Sequence, residues 1–155
     1  MSQVNVGVIS DTHGLIRPEA LAALRGCTLI IHAGDVGRPA VLEALRKIAP
    51  TFAVRGNIDK GEWAHALPMT EQVTLGKHRL FVLHDIADLA VDPATAGFAA
   101  VVYGHSHRPS IETRNGVLFL NPGSAGPRRF KLPISIARLR VSGRSLVARV
   151  LELGV

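Results

Sequence analysis

Side chains able to bind a divalent ion recur in one kind of place along this chain, directly after short apolar stretches. Asp11 and His13 follow residues 4–10, Asp35 follows 29–33, Asn57 follows 51–55, His84 ends 80–84, and His105 and His107 follow 99–103. Two carboxylates, one carboxamide oxygen and four imidazoles make a mixed nitrogen and oxygen set, suited to borderline ions such as manganese, iron, zinc or nickel. Seven donors exceed what one ion ordinarily takes from protein. The economical arrangement is two ions roughly 3.5 to 4 Å apart that share a carboxylate and hold a hydroxide able to attack phosphorus. Singly, each residue has a plainer role, since Asp-Thr-His-Gly makes an ordinary turn and a lone His is commonly structural. The joint pattern carries the chemistry.

The elements that must position these residues can be read from patterning. Residues 4–10 and 29–33 are short, rich in branched side chains and almost wholly apolar, the mark of strands buried on both faces. Residues 18–25 and 39–48 each start with Pro and space their apolar residues by three and four, which predicts helices. Residues 51–55 form a third strand. Beyond it the chain turns strand-rich, at 72–75, 80–84, 99–103, 111–113, 117–120, 134–140 and 146–153. Asn115-Gly116 and Ser142-Gly143 mark hairpin turns. This pattern predicts an α/β opening followed by antiparallel pairs, in two packed sheets flanked by helices. In open α/β sheets the carboxyl ends of strands are where ligands bind, and that is where the seven residues fall.

Composition bounds the rest. A chain of 155 residues with 47% hydrophobic and 19% charged positions supports one domain, residues 1–155. Fifteen Gly and nine Pro argue against a helical bundle. Cys27 stands alone, which excludes an internal disulfide and Cys-x-x-Cys chemistry. No apolar run approaches the roughly 18 residues of a membrane helix, and the opening Met-Ser-Gln-Val-Asn lacks a basic leader, so a cytoplasmic protein without membrane contact is expected. The net charge of +6 is uneven: residues 1–107 carry 9 basic and 10 acidic side chains, residues 108–155 carry 9 and 2. That basic last third reads first as a solvated face and second as an attractor of phosphorylated ligands. Trp63 and Tyr103 do not interleave with basic residues, so nucleic acid is not favoured.

The blocks Asp-x-His, Gly-Asp, Gly-Asn, His and Gly-His-x-His, in this order, resemble the calcineurin-like metallophosphoesterases. The short length, Arg55-Gly56-Asn57-x-Asp59 and Asn121-Pro122-Gly123-Ser124 are similar to the branch of small bacterial and archaeal YfcE-type phosphodiesterases. The resemblance implies a four-layer αββα sandwich of two mixed sheets. It assigns a first metal to Asp11, His13, Asp35 and His107, and a second to Asp35, Asn57, His84 and His105, with Asp35 as the bridge. It implies two divalent ions, manganese before nickel, iron, zinc or magnesium, and a bridging hydroxide that attacks a small phosphodiester in line. Asp35, Asn57 and His105 form the catalytic set. Asn57, Arg55 and Arg108 are the expected substrate contacts, with Arg128 and Arg129 also within reach. A homodimer or homotetramer is compatible with the family.

This chain departs from the family pattern at two points. Ile58 stands where related phosphomonoesterases have His and the small diesterases often have Cys, and Asp85-Ile86 follows His84 where Gly is usual. Asp85 and Asp59 are then the first candidates for a proton donor. His32 is expected to pack or hydrogen-bond behind the metals, and His65 and His78 to lie on the surface. Two other function classes remain in view. One is a noncatalytic scaffold such as the retromer-type subunits of this fold, whose metal positions are eroded where these seven are intact. The other is a nucleic-acid processing protein, favoured only by the basic last third.

Overall fold

The computed structural model describes residues 3–155; Met1 and Ser2, part of the opening segment read for a leader, lie outside the described residues. Strand β1 (Gln3–Ile9) leads into helix α1 (Pro18–Ala23), then β2 (Leu29–His32), α2 (Pro39–Arg46) and β3 (Thr51–Ala53). A one-turn helix α3 (Glu62–His65) precedes β4 (Thr70–Leu75) and β5 (His78–Leu83). A 3-10 turn (Ile86–Asp88) separates β5 from β6 (Ala100–Val102), which is followed by β7 (Ser110–Arg114), β8 (Val117–Asn121), β9 (Ser135–Ser142) and β10 (Ser145–Glu152).

These strands make two five-stranded sheets, ordered β10-β9-β1-β2-β3 and β4-β5-β6-β8-β7. Each has a parallel centre, β1-β2-β3 in one and β5-β6-β8 in the other, with antiparallel strands outside. The expected antiparallel pairs are therefore present as β4-β5, β7-β8 and β9-β10. The two mixed sheets that the resemblance implies are present, and the parallel centre of the second is the part that strand patterning alone, which predicts antiparallel pairs there, does not give. Its strands are apolar on both sides, as a doubly covered parallel centre requires: Ala100 and Val102 face the other sheet while Val101 faces outward.

Val6, Val8, Ile31, Val54, Leu80, Val82, Leu120 and Leu139 interlock between the sheets. On the outer face of the first sheet, α1 and α2 bury Leu24, Val41, Leu42 and Leu45 against Ile9, Ile30 and Ile136. Full burial stabilises each such leucine by about 1.5–3 kcal/mol relative to exposure. Both helices begin with Pro in the first turn after an extended residue, Arg17 or Arg38, and neither has a side-chain cap. The outer face of the second sheet is covered by Phe98, Ile86 and Leu89, from the 3-10 turn and the segment after it. The outermost layer there is one short turn and a loop. No helix among the described residues is long and apolar enough to cross a membrane.

Candidate metal centre

The carboxyl ends of β1, β2, β3, β5 and β6 meet at one edge of the sandwich, and all seven expected ligands sit on the loops that leave them. Contacts across the two sheets bring them together. Asp35 Oδ2 lies 3.5 Å from His13 Nε2 and 3.3 Å from His84 Nε2. Asp11 Oδ1 lies 3.5 Å from His107 Nε2 and 3.8 Å from His84 Nε2. Asn57 Oδ1 is 2.9 Å from His84 Nε2 and 3.1 Å from His105 Nδ1. Asp11, Asp35, His84 and His107 are buried, His13 is half-buried, and Asn57 and His105 are exposed. The centre is therefore closed at one end and open at the other.

The backbone is bent to make this possible. Asp11, His13, Asp35, His105 and His107 all have φ between +48° and +73°, a left-handed conformation that costs a non-glycine residue energy. Five of the seven expected ligands occupy it. Glycines provide the close approaches: a Cβ on Gly56 would overlap Asp35, and one on Gly104 would overlap Ser10 Oγ and crowd Asp11 Oδ2.

The donor set fits divalent ions. Asp11, His13 and His107 form one group with ligand atoms mutually within 4.8 Å, and Asp11, Asp35 and His84 form another. Asp11 Oδ1, His13 Nε2 and His107 Nδ1 are buried without a hydrogen-bond partner among the described residues, which such polar atoms rarely are unless another group satisfies them. The electrostatics agree. Burial raises the Asp11 carboxyl to about 6 against the pull of His84 and Ser10. Burial tends to raise Asp35 too, but hydrogen bonds from His84 and the Ile58 N–H outweigh it and hold that carboxyl below its usual range. Burial pushes His107 down to about 4, helped by the positive charge of Arg129, and also lowers His13. Burial opposes the charged form of His84, yet hydrogen bonding and charge from Asp35, with the charge of Asp11, raise it.

Residues outside the seven hold the loops in register. His32 is fully buried; its Nδ1 accepts from the Gly34 N–H at 3.1 Å, which leaves Nε2 to donate to Thr12 Oγ1 at 3.0 Å. Thr12 Oγ1 in turn donates to Val36 O at 2.8 Å. This matches its expected place behind the ligands. Asp59, read as a possible proton donor, is instead buried and accepts backbone N–H groups from Val36, Gly37 and Gly56 at 3.1, 2.9 and 2.8 Å. It ties the β2 loop to the β3 loop. Asn121 Nδ2 donates to Gly104 O and Ser106 Oγ, both at 3.1 Å, while Ser124 Oγ donates to Asp11 O at 3.0 Å. Asp85 accepts from Ala87 N–H at 3.0 Å and stands 3.6 Å from His105 Nε2.

The other expected residues separate. Arg55 lines a cleft of about 320 Å³ with Asn57, His84 and His105, walled by Met69 and Leu83. Arg108 lies apart, beside Phe130, Lys131 and Leu132. Arg128 donates to the Leu132 and Val155 carbonyls, so its guanidinium ties down the chain end. Ile58 is 38% exposed and presents its N–H, at 3.0 Å, to Asp35 Oδ1. His65 is exposed as expected, but His78 is buried, with Nε2 2.9 Å from Gly143 O. Its side chain sits under the β9-β10 turn, a neighbour invisible to local sequence.

Residues 4–144 match the family model described as the calcineurin-like phosphoesterase superfamily domain. A probable metallophosphoesterase of Methanothermobacter thermautotrophicus is 33% identical over 161 residues, covering 96% of this chain and 92% of that protein. The phosphodiesterase YfcE of Escherichia coli is 32% identical over 163 residues, covering 90% of this chain and 89% of its own. The crystal structure of Chaetomium thermophilum Vps29 superposes with a TM-score of 0.83 at 25% identity, over 96% of this chain and 88% of that one. Motif order, fold and relatives agree that the chain belongs to the calcineurin-like phosphoesterase superfamily.

Proposed function

We propose that the protein is a dinuclear metal-dependent phosphodiesterase. The observation that carries this reading is the meeting of seven donors at one sandwich edge, with a single oxygen, Asp35 Oδ2, between His13 and His84. Two divalent ions, manganese foremost, would supply there a water acidic enough to attack phosphorus near neutral pH and a positive clamp for phosphoryl oxygens.

Asp11, His13, Asp35 and His107 are assigned to one ion and Asp35, Asn57, His84 and His105 to the other. Asp11 also approaches both groups, but its Oδ2 already accepts from Ser10 Oγ at 2.8 Å and from the His105 N–H at 3.1 Å. Only its Oδ1 is free. Asp35 likewise keeps one oxygen free, with Oδ1 on the Ile58 N–H; the closer approach of its Oδ2, 3.5 Å to His13 and 3.3 Å to His84 against 3.5 Å to His107 and 3.8 Å to His84 for Asp11 Oδ1, supports it as the bridge. The lowered pKa values of His13 and His107 keep those imidazoles neutral, as ligands must be. Asn57, at the open end, offers its amide N–H groups to a phosphoryl oxygen when its carbonyl is used as a ligand. Arg55 and the apolar wall of Met69 and Leu83 receive the organic part of the ester in the adjoining cleft.

Metal content and hydrolysis of aryl phosphodiesters, measured together, test the proposal. The wild type is expected to hold two ions per chain and Asp35→Ala none, with activity lost. Two ions retained in Asp35→Ala, with loss instead in His65→Ala, would overturn the assignment. A noncatalytic interaction module is the second reading, favoured by the likeness in fold to Vps29. A chain that carries both ions yet hydrolyses no phosphomonoester, phosphodiester or cyclic nucleotide would support it.

A further inference from the structure

The excess positive charge of residues 108–155 does not all gather at the metal centre. On β9 and β10, Leu139, Val141, Leu146, Ala148 and Val150 face the core between the sheets. Strand alternation therefore turns Arg138, Arg140 and Arg149 to the outer face. Register sets Arg138 directly opposite Arg149, and Arg140 between Asn5 of β1 and Val147 of β10. These five side chains line one hollow of about 180 Å³.

Nothing acidic neutralises it. Among the described residues no carboxylate comes within 4.0 Å of Arg138, Arg140 or Arg149. Arg138 is steadied by backbone instead, donating from Nη1 to Ala23 O at 2.8 Å and Arg25 O at 3.4 Å at the end of α1. Like charges directly opposite in an antiparallel pair are destabilising. A face needing only solubility would intersperse both signs. Three guanidinium groups gathered in a concavity focus positive potential on a small volume; Arg138 already spends both Nη atoms on the Ala23 and Arg25 carbonyls, so the forked donors of Arg140 and Arg149 are the ones that match the oxygens of a phosphoryl group. The lining has no aromatic side chain, so a nucleobase would find no stacking partner.

We propose that the hollow formed by Asn5, Arg138, Arg140 and Arg149 is an anion site, separate from the metal centre, that takes a phosphoryl or diphosphoryl group. It lies on the outer face of the sheet near Gly7, four residues before Asp11, or roughly 13 Å along β1. It does not depend on the phosphodiesterase reading. The same chemistry is offered by free phosphate and by the phosphates of a nucleotide.

The test is a titration of isotopically labelled, zinc-loaded protein with inorganic phosphate and, separately, with adenosine 5′-diphosphate, followed through backbone amide resonances. Saturable shifts at Asn5, Arg138–Arg140 and Val147–Arg149 are expected, weakened about tenfold or more in the double variant Arg140→Gln/Arg149→Gln. Tighter binding of the diphosphate with shifts beyond the hollow assigns a nucleotide-borne group; equal binding assigns the free anion. The double variant should keep wild-type phosphodiester hydrolysis and melt at the same or a higher temperature, because a repulsion has been relieved. Shifts that do not saturate, that are confined to the metal-centre loops, or that persist in the double variant would overturn the site. So would salt-sensitive binding of a single-stranded oligonucleotide at this face with no response to either small anion.

Discussion

His32 donates a hydrogen bond to Thr12 at 3.0 Å, from the last residue of β2 to the residue between two expected ligands, Asp11 and His13. Thr12 passes the interaction on to Val36 O. The chain of donors fixes the hydroxyl rotor, the imidazole tautomer and the spacing of the β1 and β2 loops together.

Replacing Thr12 with Val keeps the shape but removes the hydroxyl, leaving the His32 Nε2–H without a partner and Val36 O with the Gly14 N–H alone. A loss of about 1–3 kcal/mol in urea unfolding is expected. Metal affinity should fall about 10- to 100-fold, since the residue holds ligands without being one. An unchanged metal titration with reduced stability would limit Thr12 to a structural role.

Acid should weaken the metal-free protein through His32. Burial, with the charge of His84, depresses this imidazole to about 3 in the folded protein, against 6.5 in the unfolded chain. Between those values the unfolded chain binds a proton that the folded one refuses, so stability falls as pH drops below about 6.5. His107 adds the same sign between 6.5 and about 4. Asp11 opposes them: its folded value of about 6 lies above 3.8, so its contribution is lost as pH rises through 6. His13, lowered, adds to the loss, while His84, raised, opposes it beside Asp11; three depressed imidazoles against one raised imidazole and one raised carboxyl leave a net loss on acidification. Urea unfolding with a chelator at pH 7 and pH 5 should show it, with a smaller difference in His32→Gln.

The two imidazoles of the Gly-His-Ser-His block are expected to serve different ions. His107 is buried beside Asp11 and 5.3 Å from the His13 ring, whereas His105 is exposed beside Asn57 and 5.2 Å from the His84 ring. His107→Ala should weaken the first site and His105→Ala the second. Calorimetric metal titrations in which both variants lose the same site would contradict the division.

In the proposed reaction Ile58 offers the leaving group no imidazole, and Asp59 is committed to three backbone N–H groups. The departing oxygen must then leave largely as an anion, so its own pKa should govern the rate. Aryl phosphodiesters should outpace alkyl ones by roughly 100-fold to 10,000-fold, the usual worth of general acid catalysis. A flat dependence across phenyl-substituted diesters, with product release shown to be fast, would assign a proton donor, and Asp85, 3.6 Å from His105, would be the first to replace.

Much of this architecture was legible because the signals are local. β1, β2, α1 and α2 fall within two residues of their expected bounds, and the ligand-bearing ends of five strands could be read from apolar runs that stop at a carboxylate, carboxamide or imidazole. What escaped depends on distant neighbours. Helix α3 is a single turn without a readable period. Asp59 looks like any loop acid until the β2 and β3 loops lie side by side, and Asn121 gains its role only when β8 is placed next to β6. The parallel pairing of β5, β6 and β8 is likewise a fact of spatial order that apolar runs alone leave undetermined.

The order β10-β9-β1-β2-β3 has a consequence for how the chain is made. Strand β1 is synthesised well before β9, so one of its edges stays unpaired until β9, some 130 residues later, arrives to register Val4 against Val141 and Val8 against Ala137. Until then a largely apolar strand presents open backbone groups, an invitation to pair with other chains. Closing that long loop places the protein among slow, high-contact-order folders. Truncations that remove β9 and β10 should therefore yield aggregation-prone nascent chains, even though every one of the seven expected ligands has already been synthesised.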